Sequence, residues 1–424
     1  MSIRISVLLV AVLAARGQPL RLPDLERMAL EKNPAIAQAA ARVRAAAGRV
    51  RQAGLYPNPM VGATGDEIAG GPIIRGGELG GFFEQRIVTA GKLGLSRRVA
   101  EQEQREMEAS AAAERQRVLN LVRELFYQAL GDQMMIEVRT RLARLAAEAV
   151  RTSRELANVG QADKPDVLSA EIEAQRLELG LTTARNSQER TWRQLGAVVH
   201  DPSLKVTRLE GNIEEVPRLD FDQALAKIYK ESPDLRAAEL GASRAEFALR
   251  RAQVEKLPDI VMRGGVRYNR ELLEEGPAGF RRPVGREGFF DIGIELPLFN
   301  RNQGVVSAAR AELERARLDS TRTRLALRAR LAGLYREYRD SLAMVDRYKD
   351  QMLPKAQEAY QMYLNSFRQM AAAYPQALIA QRNLFQLQEE YVSALVMTWQ
   401  RSVEIEGLLL SAGEDPPSMA GWPQ

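Results

Sequence analysis

The 424-residue chain has no cysteine. Disulfides and thiolate metal sites are excluded, and no lipid anchor on an N-terminal cysteine is expected. It has a single histidine, His200, so a histidine-built metal centre is excluded too. A lone imidazole near a helix end is expected to be structural or solvated. No stretch approaches the roughly 18 consecutive apolar residues of a membrane-crossing helix. A phosphate-cradling glycine loop, a nucleophile elbow and a metal-ligand cluster are all missing. Carboxylate pairs such as Glu274-Glu275 and Glu389-Glu390 occur, but such neighbours on helices and loops are ordinarily solvated charge. With no candidate catalytic residue, cofactor site or metal site, an enzyme is not expected. One-sided charge is missing as well. The 60 basic and 55 acidic residues are interspersed, for a net charge of +5. There is no basic block or basic–aromatic cluster of the kind that binds nucleic acid.

What the chain does have begins with Arg4, a short apolar run from Ile5 to Ala15 broken by Ser6, and small residues at Ala15 and Gly17. This is the pattern of a secretory signal peptide over 1–17. An exported chain without a membrane-crossing helix is periplasmic, secreted or an outer-membrane β-barrel. The remainder is one plan written twice at a period of about 200 residues. Leu25 to Gly54 is alanine-rich and amphipathic, contains Asn33-Pro34 and leads to Tyr56-Pro57; Phe221 to Lys256 contains Ser232-Pro233 and leads to Leu257-Pro258. After each comes a glycine-rich region of β character, a very long helical segment, a break near Pro165 or Pro375, and a shorter helix. Leu95 to Val159 has only Gly131 as a breaker, and Val305 to Met370 only Gly333 and Pro354. Helices of about 65 residues run on the order of 100 Å and need coiled-coil partners. The stripes agree: Val118, Leu121, Val122, Leu125, Phe126 and Ala129 in one, Leu334, Tyr338, Leu342, Val345 and Tyr348 in the other, at three- and four-residue steps. Two short helices laid end to end match one long helix, as a cylinder of uniform height requires.

The expected division is a signal peptide over 1–17, repeats over 18–211 and 212–412, and a tail over 413–424. Within the first repeat, strands are expected at 60–66 and 80–88 and helices at 92–159 and 166–199; within the second, a helix at 220–256, strands at 259–268 and 289–297, and helices at 303–370 and 376–411. In the second repeat Ile260, Met262, Val266 and Tyr268 alternate with Arg263 and Arg267, and Phe290, Ile292, Ile294 and Leu296 alternate with Asp291 and Glu295. Period two gives one apolar and one polar face. Phe290, Ile292, Ile294 and Leu296 are therefore expected to face lipid, and Arg263, Arg267, Asp291 and Glu295 a water-filled lumen. The connections 66–79 and 270–288, rich in glycine, proline and charge, are expected to be external loops. Four strands cannot close a barrel, and open edges are not tolerated in lipid, so the membrane reading demands an oligomer; three copies would supply twelve strands. Where strand passes into helix, Gly91 and Gly304 are expected to supply unusual dihedrals, and Pro297 to remove a ladder donor as pairing ends.

The chain resembles the TolC-like outer membrane efflux family over nearly all of its length after the signal. Asn33-Pro34 followed by Tyr56-Pro57-Asn58-Pro59 resembles the family's first-repeat start, Glu84-Gln85 with Gly91-Lys92 its first strand-to-helix junction, and Gly160 to Leu168 its periplasmic tip turn. The stretch Pro297-Leu298-Phe299-Asn300-Arg301-Asn302-Gln303-Gly304 is the most specific, and is similar to the heavy-metal branch, the cobalt–zinc–cadmium and copper–silver resistance ducts. The resemblance implies a mainly α protein with membrane β: a homotrimer with a twelve-stranded barrel in the outer membrane and a coiled-coil α-barrel in the periplasm. It implies a passive exit duct, with a periplasmic adaptor and an inner-membrane pump of the resistance-nodulation-division type as partners. A drug or protein-secretion duct shares this fold, and a periplasmic coiled-coil adaptor is the alternative of another class. The tip turns, Gly160 to Asp166 and Met370 to Gln376, are each the break between a full-length and a half-length helix, and are expected at the adaptor-facing mouth. There Asp163 and Asp166, with Lys164 beside them, form an acidic ring from three subunits, or alternatively cap the returning helix. The second tip departs from the family by carrying Gln376 in place of an aspartate.

Overall fold

The computed structural model describes residues 19–66, 77–160, 163–275, 280–368 and 374–410. The expected signal peptide, Met370 and the tail over 413–424 lie outside the described residues. The elements in chain order are α1 (Leu22–Lys32), α2 (Pro34–Ala53), β1 (Met60–Asp66), β2 (Glu78–Ile87), α3 (Lys92–Asn158), α4 (Lys164–Val198), α5 (Phe221–Glu231), α6 (Pro233–Val254), β3 (Ile260–Glu275), β4 (Phe280–Ile294), α7 (Gln303–Arg347), a π turn (Tyr348–Met352), α8 (Leu353–Arg368) and α9 (Tyr374–Glu406). They fall into two compact units.

One unit comprises Met1–Ala37, Ala113–Ser232 and Ala326–Gln424 and is helical. Its core joins Val118, Val122, Phe126 and Ala129 of α3 to Trp192 and Leu195 of α4 and to Tyr391 and Leu395 of α9. The α3 stripe read from the sequence is thus a packing face. Tyr338 and Val345 of the second stripe are buried as well. The loop after α4 closes this core with Leu209 and Ile213, and Leu20 bridges to Leu209 in parallel. Trp399 stacks on Tyr127 at 3.7 Å between ring centroids and donates its indole N–H to the Ile213 carbonyl at 2.7 Å. That satisfies the one polar atom of a large apolar ring.

The other unit comprises Gln38–Ala112 and Pro233–Leu325 and holds a four-stranded sheet of order β1-β2-β3-β4, antiparallel throughout. Phe289 lies flat on the backbone at Gly265. A Cβ there would sit 2.7 Å from the ring and 2.3 Å from the Gly81 carbonyl oxygen, so only glycine lets ring and ladder approach.

Several element bounds differ from the sequence reading, each for a physical reason. The expected helix over 220–256 is two, α5 and α6, and the segment Leu25 to Gly54 likewise splits into α1 and α2. Proline drives the residue before it out of the helical region: Asn33 and Ser232 are extended, with ψ of 124° and 118°. The expected helix over 303–370 contains the π turn immediately before Pro354. The ring nitrogen cannot donate to the preceding turn, and the Leu353 N–H reaches back to the Tyr348 carbonyl instead. The region 270–288 is largely ladder. β3 runs 16 residues and β4 runs 15, with a register shift between Asn269 and Leu272. Its glycine and charge signalled a loop, but the ladder is built from backbone groups and does not require an apolar period.

Candidate functional site

The sheet register decides which side chains share a face, because antiparallel partners point the same way. Ile260 pairs with Ile294 and Met262 with Ile292, while Gly264 opposite Phe290 completes the row. Phe83 of β2 and Val61 of β1 lie on this same side. The face is solvent-exposed in the single chain: Phe290, Ile292 and Val266 are each about 60% exposed. A contiguous apolar surface of this kind marks a contact with an apolar phase or partner. On the opposite face Arg263 pairs in register with Asp291, and Arg267 with Glu287. Glu295 and Leu296 fall past the last ladder pair, Ile260 with Ile294, so the register gives neither of them a face. Among the described residues β1 and β4 are edges, each with one side unpaired.

The polar face holds residues the sequence reading did not single out. Arg267 forms ion pairs with Glu78, with Glu287 at 3.2 Å and with Asp66 at 3.8 Å. Buried Glu78 also accepts from the Asn269 amide at 2.8 Å. Arg263 instead stacks over Phe82, 4.0 Å from the ring centroid, a cation–π contact. Glu78 and Phe82 share the parity of Glu84 along β2. That alternation was the available signal, diluted by Gly80 and Gly81.

At the first strand-to-helix junction Ala90 and Gly91 both have positive φ, 55° and 66°. This turns the chain from β2 into α3 and drives Lys92 inward, 3% exposed. Its ammonium meets Asp259 at 2.7 Å, and the same carboxylate takes Arg86 at 2.7 Å and the Thr89 N–H at 3.2 Å. Burial pushes the Asp259 carboxyl up, but Lys92, the Thr89 N–H and Arg86 outweigh it and hold the group at about 2. At the second junction Gly304 does not supply the unusual dihedral. It lies in the first turn of α7 with open space around it, and Asn302 carries the positive φ, 60°. The Asn302 amide donates to the Ala252 carbonyl at 2.8 Å, and asparagine tolerates this region better than most residues. Pro297 stands three residues beyond the ladder, so it does not end the pairing. The carbonyls and N–H groups of β4 simply run out of partner at Ile260.

Between α3 and α4, Gly160 has φ of 74° and follows the end of α3. Asp163 occupies the N-cap position of α4, where its carbonyl accepts from the N–H groups of Asp166 and Val167 at 3.0 and 3.4 Å. Its carboxylate makes no cap hydrogen bond, so capping by the side chain, one of the two expected roles, is not what this residue does. Lys164 and Pro165 begin the helix, and Asp166 is the acid of its first turn. Gln376 is exposed in the first turn of α9. Elsewhere in the helical unit, burial and the neighbouring Glu404, partly offset by Arg401, raise the Glu124 carboxyl to about 7.

A family model described as outer membrane efflux protein matches residues 25–199 and 224–409. The cobalt-zinc-cadmium resistance protein CzcC of Cupriavidus metallidurans is 25% identical over 396 residues, which cover 92% of this chain and 90% of that protein. Two solved structures share the fold: the outer membrane protein VceC of Vibrio cholerae, with a TM-score of 0.73 at 19% identity over 93% of this chain and 97% of VceC, and CusC, with a TM-score of 0.75 at 16% identity over 92% of each chain.

Proposed function

This chain belongs to the outer membrane efflux protein family; it is an outer-membrane efflux duct and not an enzyme, and on that premise we propose that three copies close their sheets into one twelve-stranded barrel carrying heavy-metal cations out of the periplasm. The observation that carries the assembly is the sheet itself. It has one exposed apolar face and two unpaired edges, β1 and β4. In lipid every strand edge must find a partner, and antiparallel β4 of one copy against β1 of the next supplies it. Phe290, Ile292 and Ile294 then face lipid, and Arg263, Arg267 and Asp291 line the lumen. The turn residues Gly160, Asp163, Lys164 and Asp166, with Gln376 at the start of α9, form the mouth that a periplasmic adaptor opens on behalf of an inner-membrane pump of the resistance-nodulation-division type. The Asp163 carboxylate, unused by its helix, is available to attract cations there. The cargo reading rests on the likeness to CzcC and on Pro297 to Gly304. A duct needs no tight site for its cargo, since binding must be weak enough to release; the pump selects.

The test is complementation. Expressed with the adaptor and pump of a cobalt–zinc–cadmium resistance system, in a host lacking its own duct, the chain should restore growth on zinc. Restored drug or protein export without metal tolerance would reassign the cargo. Failure to restore any export would remove the duct reading.

A further inference from the structure

At the foot of the sheet, where strands meet helices, two apolar patches lie uncovered on opposite edges. After the last pair of β4 come Leu296, Leu298 and Phe299, the last 91% exposed. Before the first residue of β1 come Leu55 and Tyr56, the latter 65% exposed. Among the described residues neither edge has a neighbouring strand. An exposed phenylalanine ring at one edge and an exposed tyrosine at the other are costly in water, at about 25 cal/mol per Å² of apolar surface.

We propose that Phe299 and Leu298 of one subunit seat on Leu55 and Tyr56 of the next, so that the second strand-to-helix junction is completed only by a neighbouring copy. The inference rests on the closed-barrel reading, and the strand order then brings both patches to the foot of one seam. β4 ends at the foot with Ile294, level with Ile260 and Ile87, and β1 begins with Met60 opposite Glu84, three residues above Ile87, so the residues just before Met60 reach the foot. Laying β4 against the next copy's β1 in antiparallel fashion brings the residues just after Ile294 beside those just before Met60. The patches match in kind, both apolar with one aromatic, and each lies on the edge that the other's strand must meet. Asn302 fixes the offered loop from within, through its positive φ and its hydrogen bond to Ala252. The loop is thus shaped by its own chain and covered by another. This explains how a stretch with three large exposed apolar side chains can serve a junction whose counterpart is sealed by buried charge.

The chain's lack of cysteine makes the test direct. A Tyr56→Cys, Phe299→Cys double variant, purified in mild detergent, is treated with a short thiol–thiol linker and run on a denaturing gel, while untreated protein is weighed in the same detergent. The expected result is a trimeric mass together with covalent dimers and trimers on the gel, absent from either single variant. A trimeric mass without cross-links overturns the seating and leaves the barrel standing. A monomeric mass overturns both. A nitroxide on Phe299→Cys broadened by lipid-soluble oxygen in reconstituted vesicles would assign the patch to lipid instead, and would also overturn the seating.

Discussion

The two strand-to-helix junctions do the same topological job by opposite means. Between β2 and α3 the turn is locked from inside, with buried Asp259 gathering buried Lys92, the Thr89 N–H and, from the exposed side, Arg86. Between β4 and α7 the turn is held by the Asn302 side-chain amide donating to the Ala252 carbonyl, and its apolar side chains are exposed. A buried ion pair is demanding. Its desolvation is offset only while every partner is present, and deleting one leaves an uncompensated charge. An exposed loop makes no such demand, and tolerates change until a partner needs its surface. The first junction should therefore govern whether the unit folds, and the second whether it assembles.

The largest expected effect follows from the first half of that contrast. Asp259→Ala leaves the buried Lys92 ammonium only Glu255, 4.0 Å away, and should cost about 3 kcal/mol, read as a drop in the thermal unfolding midpoint of the purified protein. Because the folded carboxyl sits at about 2, below its unfolded value of about 3.9, its stabilisation is fully present above that unfolded value and fades as pH falls toward 2. Asp259→Ala should flatten this acid limb. An unaltered limb would mean that Lys92 is satisfied by other groups.

Next in size is the apolar face between the junctions. Ile292→Arg should destabilise the assembled protein by about 2–4 kcal/mol near the bilayer midplane. Arginine tolerated there in folded, membrane-inserted protein would show that the face does not meet lipid. Smaller still is the glycine pair. Gly91→Ala forces a side chain onto φ of 66° and should cost about 1–2 kcal/mol, whereas Gly304→Ala, helical and unobstructed, should be neutral or stabilising by up to about 1 kcal/mol. Equal losses at both would restore the symmetry that the dihedrals deny. Least in stability but distinct in readout is Asp166→Asn, which should lower cation selectivity or change closed-state leak in single-channel recordings with the unfolding midpoint nearly unmoved. A change in midpoint alone would make Asp166 a helix-end residue and place the acidic mouth elsewhere.

The contrast also shows why one junction was more legible than the other. The stretch from Pro297 to Gly304 is contiguous, so its likeness to a family could be seen in a single line of sequence. Lys92 and Asp259 lie 167 residues apart, and nothing local marks either as the other's partner. The alternation of Ile260, Met262, Val266 and Tyr268 gave the faces of β3 because period two is a local property. The outer halves of β3 and β4 were missed because glycine and charge break the apolar period without breaking the ladder. Asn33-Pro34 and Ser232-Pro233 mark the repeat in the sequence and, by the local steric rule for a residue before proline, also break its helices. Between α3 and α4, the spacing to Pro165 marks Asp163 as a helix start, but that its carboxylate stays off the cap is a matter of rotamer that no spacing records.

Everything said of lipid face, lumen and seam depends on the open edges of β1 and β4 finding each other in neighbouring copies. The direct measurement is the mass of the purified protein in mild detergent, by light scattering or native mass spectrometry. The account predicts three chain masses per particle in a folded, helical state. A stable, folded monomer would contradict it.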